Sequence, residues 1–140
     1  MEPTAHELYR RWLPGLWNAP PEEMAGIAAG IFTADAVAHW GPGRDFSGPA
    51  VIADKVREGV EMFDDVVVEL EHGPIVDGDL VAARWTFAGR FRGGVPGFPG
   101  KAGAEVRYHG MDLLRVRDGR FAEYWPMGDN LTLMQQLGLV

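Results

Sequence analysis

Glu105-Val106-Arg107-Tyr108-His109-Gly110-Met111-Asp112-Leu113-Leu114-Arg115-Val116-Arg117, followed by Asp118-Gly119 and then Arg120-Phe121-Ala122-Glu123-Tyr124-Trp125-Pro126-Met127, is the stretch whose reading decides the fold. Arg107 and Arg115 mark the wet face of an extended segment. Strict alternation then turns Val106, Tyr108, Gly110, Asp112, Leu114 and Val116 inward. Asp118-Gly119 is a hairpin turn signal, so the chain returns as a second strand from Arg120 to Met127. On that strand Phe121, Trp125 and Met127 share parity with Glu123, and with Asp129 just beyond its end. This reading predicts three carboxylates, those of Asp112, Glu123 and Asp129, against an apolar layer.

Upstream the same period of two persists. In 81–91, Ala83, Trp85, Phe87 and Phe91 fall on one face, and Arg84, Thr86 and Arg90 fall on the other with Arg92 just beyond. From Asp65 onward, Val66, Val68 and Leu70 alternate with Val67, Glu69 and Glu71, and Asp77-Gly78 makes another turn before Leu80. A glycine- and proline-rich loop over 93–100 joins two of these strands. The second half is therefore a meander of antiparallel strands.

The first third has helical spacing instead. Leu8, Trp12 and Leu16 form one apolar stripe, and Met24, Ile27, Ala28 and Ile31 form another after Pro20-Pro21-Glu22-Glu23. A short apolar run, Ala36 to Trp40, precedes the turn Gly41-Pro42-Gly43. A third helix carrying Val51, Ile52, Val56, Val60 and Phe63 follows Ser47, a plausible cap. Leu131 to Leu137 forms a short terminal helix behind Asn130, an acceptable cap residue. Helices followed by a strand meander predict an α+β domain spanning 1–140, with helices on one face of a curved antiparallel sheet and a cavity between the layers.

Composition narrows the function classes. The 140 residues are 46% hydrophobic and 24% charged, which is ordinary for a globular chain. The absence of cysteine excludes disulfide scaffolds, thiolate metal sites and cysteine nucleophiles. A net charge of −7 with scattered arginines argues against nucleic acid as a partner. No segment has the length of a membrane span, and the N-terminus lacks a basic stretch followed by an apolar run, so the expected location is the cytoplasm. Phosphate-loop, paired-histidine and Gly-x-Ser-x-Gly motifs are all missing, so neither a metal nor an organic cofactor is expected.

Several polar groups are candidates for chemistry. A carboxylate in an apolar pocket has its pKa raised and becomes a proton shuttle near neutral pH. Asp112 reads either as such an acid or as the partner of an arginine such as Arg84. Glu123 reads as a pocket group or a structural ion pair, and Asp129 as a pocket acid or a helix cap. His39 shares parity with Val37, with Ala36, Ala38 and Trp40 on the other face, an assignment that a bulge would reverse. Trp40, Trp85, Trp125, Phe87 and Phe91 serve equally as core or as walls for a flat ligand.

The ordered series Asp77-Gly78-Asp79-Leu80-Val81-Ala82-Ala83-Arg84, Gly94-Val95-Pro96 with Gly100-Lys101, Arg115 to Trp125, and Gln136-Leu137-Gly138 resembles the SnoaL-like polyketide cyclases of the NTF2-like superfamily. The resemblance implies a cone-shaped α+β barrel that is often a homodimer, with its pocket between sheet and helices. It also implies a cofactor-independent cyclase or isomerase that moves protons on a hydrophobic, polyketide-like intermediate. By position, Asp129 matches the family's acid/base and His39 a histidine used by epoxide-opening relatives. In that frame Asp129 moves a proton, His39 or Asp112 polarises the substrate oxygen and Tyr108 donates a supporting hydrogen bond, while Trp40, Trp85, Phe87, Glu123, Trp125 and Met127 contact the substrate. A non-catalytic binder and an epoxide or ester hydrolase are the competing readings. Two departures from the pattern stand out: the family's Gly-Thr-His in the strand before the loop is absent, the region reading Trp85-Thr86-Phe87-Ala88-Gly89-Arg90, and Tyr124 replaces the frequent histidine of Glu-His-Trp.

Overall fold

The computed structural model of the chain describes residues 3–140. Helix α1 (Ala5–Arg10) starts at Thr4, whose hydroxyl accepts from the backbone N–H of Glu7 at 3.1 Å. A wide, kinked turn over Arg11–Leu16 carries the chain to α2 (Pro21–Ile31), which opens with proline in its first turn beside Glu22 and Glu23. Strands β1 (Phe32–His39) and β2 (Asp45–Ser47) then lead into α3 (Pro49–Glu61). The long strands β3 (Phe63–Asp77), β4 (Leu80–Phe91), β5 (Glu105–Arg117) and β6 (Arg120–Gly128) follow, and α4 (Asn130–Gln136) ends the fold.

The six strands form one curved, unclosed sheet in the order β2-β1-β6-β5-β4-β3. The expected meander is correct for β3 to β6, but the sheet as a whole is mixed, because β1 lies parallel to β6. Strand β2 was not anticipated; it pairs with β1 through Val37 and Ser47. Ser47 is consequently a strand residue. The cap position of α3 belongs to Gly48, at φ 92°, with no side chain capping the helix. At α4 the cap is Asp129 and Asn130 is the first helical residue.

Leu8, Tyr9 and Trp12 of the first helical segment, Met24 and Ile31 of α2, and Ile52 and Val56 of α3 pack on the inner sheet face, where Phe32, Phe87, Leu114, Phe121 and Tyr124 are also buried. Burying a side chain of this size stabilises by about 1.5–3 kcal/mol, so this layer is the main source of cohesion.

The parity expected for β5 holds: Val106, Gly110, Asp112 and Leu114 are buried, while Met111 and Leu113 are exposed. On β6 it fails. Arg115 pairs with Glu123 but its neighbour Val116 pairs with Phe121, which leaves Ala122 as an extra residue. This bulge reverses the faces beyond it. Tyr124, 1% exposed, turns inward; Glu123, Trp125 and Met127 do not, and Met127 is 77% exposed. The expectation that Glu123 and Met127 face the core is thereby corrected.

Candidate active site

A cavity of about 360 Å³ opens at the β1–β6 end of the sheet, lined by Trp17, Trp40, Trp85, Tyr108, Tyr124 and Trp125, with His39, Met127 and Asn130 among the remaining wall residues. Behind it is a chamber of about 20 Å³ formed by Leu13, Trp17, Val68, Trp85, Phe87 and Tyr108. Trp17, Trp85 and Tyr108 are common to both spaces. Aromatic walls of this kind favour a flat, largely apolar ligand.

Asp112 sits beneath this cavity, not in its wall. It is 2% exposed. Its Oδ1 accepts from Trp85 Nε1 and Tyr124 Oη, both at 3.0 Å, and its Oδ2 from Tyr9 Oη at 2.9 Å and Trp12 Nε1 at 3.2 Å. Among the described residues no arginine pairs with it; Arg84 pairs with Glu71 at 3.1 Å. Burial pushes the Asp112 pKa up, and the four donors oppose that rise without cancelling it. Four donors fill the acceptor capacity of a carboxylate. Tyr124 and Trp85 thus face the ligand space while anchored to a carboxyl group behind them, and burial with that carboxylate holds the Tyr124 hydroxyl well above its ordinary pKa.

Tyr108 contrasts with Tyr124. Among the described residues its hydroxyl has no side-chain hydrogen-bond partner, and burial pushes its pKa up to about 12. It is therefore a neutral, uncommitted donor beside the cavity.

His39 is one of the lining residues, and its ring stacks on Trp125 with centroids 5.4 Å apart. Nδ1 is 3.0 Å from Asp45 and Nε2 is 3.1 Å from Glu123. Burial draws its pKa down, but the hydrogen bonds to Glu123 and Asp45 outweigh this and leave it raised. Glu123 is a shared partner, since Arg115 reaches it at 3.4 Å while also pairing with Asp79 at 2.7 Å.

Asp129 is exposed and engaged as a cap. Its Oδ1 accepts from the Thr132 backbone N–H at 3.1 Å and its Oδ2 from the Thr132 hydroxyl at 2.6 Å. These bonds hold its carboxyl below the usual aspartate range.

The structure thus brings Tyr108, Trp40, Trp85, Trp125, Met127 and His39 to one cavity, puts Phe87 in the inner chamber, and leaves Asp112, Glu123 and Asp129 outside the cavity wall. Sequence reasoning missed Trp17, Tyr124 and Asn130. The bulge hid Tyr124, and Trp17 follows a kinked turn where neither period applies. Among the described residues, no group of three or more histidine, aspartate or glutamate side chains is arranged to hold a metal ion, and no helix is long and apolar enough to cross a membrane.

A family model described as SnoaL-like polyketide cyclase matches residues 8–137. The chain belongs to this family. Among similar solved structures, wild-type IdmH from Streptomyces antibioticus, a proposed polyketide cyclase, is 25% identical with a TM-score of 0.75, over 95% of this chain and 99% of that one. A proposed SnoaL-like polyketide cyclase from Jannaschia sp. CCS1 is 19% identical with a TM-score of 0.82, over 100% and 99%. A protein of ketosteroid isomerase-like fold from Catenulispora acidiphila DSM 44928 is 18% identical with a TM-score of 0.75, over 98% and 96%. The last two show the shared fold alone. No curated protein matches the chain in sequence.

Proposed function

We propose that this SnoaL-like chain is a cofactor-independent cyclase or isomerase of a planar, oxygen-bearing, polyketide-like intermediate. The observation that carries the reading is the aromatic cavity with Tyr108 uncommitted in its wall. The substrate lies between the tryptophans, and the Tyr108 hydroxyl donates to a carbonyl that gains negative charge as a proton leaves the adjacent carbon. His39 takes and returns that proton at Nε2, in the neutral tautomer reached when this nitrogen gives up its proton and its bond to Glu123, while Nδ1–H stays bonded to Asp45 and holds the ring. Asp112 positions Trp85 and Tyr124 and does not touch substrate. Asp129 is the weaker proton carrier, because it lies outside the cavity wall and Thr132 holds its carboxyl below the usual aspartate range.

The test compares His39→Gln and Asp129→Asn against a panel of polyketide esters and unsaturated ketones, following products by mass. A product of unchanged mass that is lost in His39→Gln and kept in Asp129→Asn supports the assignment. The reverse pattern returns the acid/base role to Asp129. A product heavier by one water makes the protein a hydrolase.

One observation favours a second reading, a non-catalytic binder: both nitrogens of His39 and both oxygens of Asp129 already have protein partners. A binder retains tight affinity for panel members while converting none.

The assembly we propose is a homodimer through the outer sheet face. Ile75, Met111, Leu113 and Met127 are exposed there, and cross-strand pairing of Met111 with Met127 and of Leu113 with Trp125 makes them contiguous. Sedimentation of the wild type against Leu113→Asp tests it: a dimer that becomes a monomer supports this face.

A further inference from the structure

Trp17 carries a feature that the proposed chemistry does not use. Its Nε1 is the buried side-chain polar atom without a hydrogen-bond partner among the described residues. Buried polar groups are normally satisfied, so an orphan of this kind calls for a physical explanation. The ring belongs to both the outer cavity and the inner chamber, and Trp12 meets it edge-on at 5.7 Å between centroids, which fixes its orientation.

The inner chamber has six wall residues, of which Leu13, Val68 and Phe87 offer no side-chain polar atom. Trp85 has already given its N–H to Asp112. The other polar side-chain atoms that these wall residues carry are Trp17 Nε1 and Tyr108 Oη, both without a partner among the described residues. At about 20 Å³ the chamber has room for roughly one water-sized group. An indole N–H only donates, and the Tyr108 hydroxyl at its raised pKa of about 12 stays protonated and donates as well. Such a space fits a single acceptor oxygen at the edge of a planar ligand and gives a hydrocarbon edge no polar gain.

We infer that Trp17 is a substrate-positioning and specificity residue that, paired with Tyr108, holds a carbonyl or enolate oxygen in the inner chamber while the ring system of the ligand fills the outer cavity. This rests on the cavity being the substrate site proposed above and adds the direction of insertion, oxygen edge first. Selectivity follows from hydrogen-bond matching: a ligand that closes the chamber without supplying that oxygen leaves two donors unpaired.

The experiment measures binding of anthraquinone-2-sulfonate and anthracene-2-sulfonate, ring systems of one outline that differ in the carbonyls. Wild type binds the quinone more tightly. Trp17→Phe keeps an aromatic ring and loses the N–H; it reduces the preference for quinone by about tenfold, the worth of one hydrogen bond in a dry site, and leaves hydrocarbon binding nearly unchanged. In the wild-type protein the Trp17 indole N–H resonance, assigned through bonds, shifts downfield with the quinone and not with the hydrocarbon, a readout that stands even if Trp17→Phe fails to fold. Equal weakening of both probes, or an indole resonance unmoved because its N–H rests on the face of Trp12, overturns the inference and leaves the cavity reading intact. Failure of wild type to bind either probe overturns the cavity reading, and this inference with it.

Discussion

Trp85 packs directly over Gly110, its cross-strand partner on β5, so closely that a methyl group at Gly110 would stand 2.1 Å from Cζ2 of the indole. The missing side chain lets the Trp85 ring lie against the strand and carry its N–H to Asp112 at 3.0 Å. Glycine at this point therefore connects strand pairing to the buried carboxylate and to the cavity wall. Gly110→Ala is expected to displace Trp85, break the bond to Asp112 and reshape the cavity. The expected destabilisation is about 1–3 kcal/mol, the usual range for overpacking a filled site, read by urea unfolding. Tryptophan fluorescence reports the displaced ring, and an unshifted spectrum with full stability would refute this account.

Asp112→Asn separates charge from shape. Each carboxylate oxygen receives one indole N–H and one tyrosine hydroxyl. An amide offers one oxygen and one NH₂, and whichever way it turns, the NH₂ faces one indole donor. A tyrosine hydroxyl can rotate to accept, whereas an indole cannot. One buried N–H is then left unsatisfied, at about 1–3 kcal/mol. The substitution should lower the unfolding free energy measured in urea by that amount and perturb Trp12 or Trp85, and unchanged stability would mean that the amide finds another arrangement.

How far the sequence carried can be judged from two strands. On β5, alternation from Arg107 and Arg115 placed Asp112 among apolar neighbours, and the carboxyl is buried there. Alternation did not reveal its partners, because Tyr9 and Trp12 lie about a hundred positions away on the first helical segment and no pattern of period two or 3.6 links them to Asp112. On β6, the same alternation placed Glu123 and Trp125 inward, and one extra residue, Ala122, reversed them. A bulge is one residue of pairing geometry with no signature in hydropathy. The chain order and the ordered motifs were enough for the α+β layers and the family, whereas the cavity wall depends on long-range packing.

His39 gives the protein a pH dependence whose sign follows from its two carboxylate neighbours. Its folded pKa is raised above 6.5. Between that value and the folded pKa the native state binds more protons than the unfolded one, so stability falls as pH rises. The contribution is full below the unfolded value and lost as pH passes through the folded one. The urea midpoint of wild type, compared between about pH 6 and about pH 8.5, should decline more steeply than that of His39→Gln. Equal slopes would show that His39 gains nothing from Asp45 and Glu123.

Asp129 carries the opposite sign. Its carboxyl is held below the ordinary value by the Thr132 hydroxyl and N–H, so its contribution is present above the unfolded pKa and lost as pH falls through the folded one. The element at stake is α4, which is seven residues long and has no buried residue of its own. It is tied down by Gln136, whose side chain bonds the Arg107 backbone N–H at 2.8 Å and its carbonyl at 2.9 Å, and by Leu137 just beyond it, which is 1% exposed. With so short a helix, the cap at its start decides whether the first turn holds. Because Asn130 lines the cavity, fraying at this point also loosens the ligand site. Asp129→Ala should therefore raise amide hydrogen exchange over 131–136 and weaken ligand binding, whereas Asp129→Asn, which keeps an acceptor oxygen for the cap, should leave both close to wild type. If Asn behaves like Ala, the charge of Asp129 matters beyond the cap, and its candidacy as the proton carrier regains ground against His39.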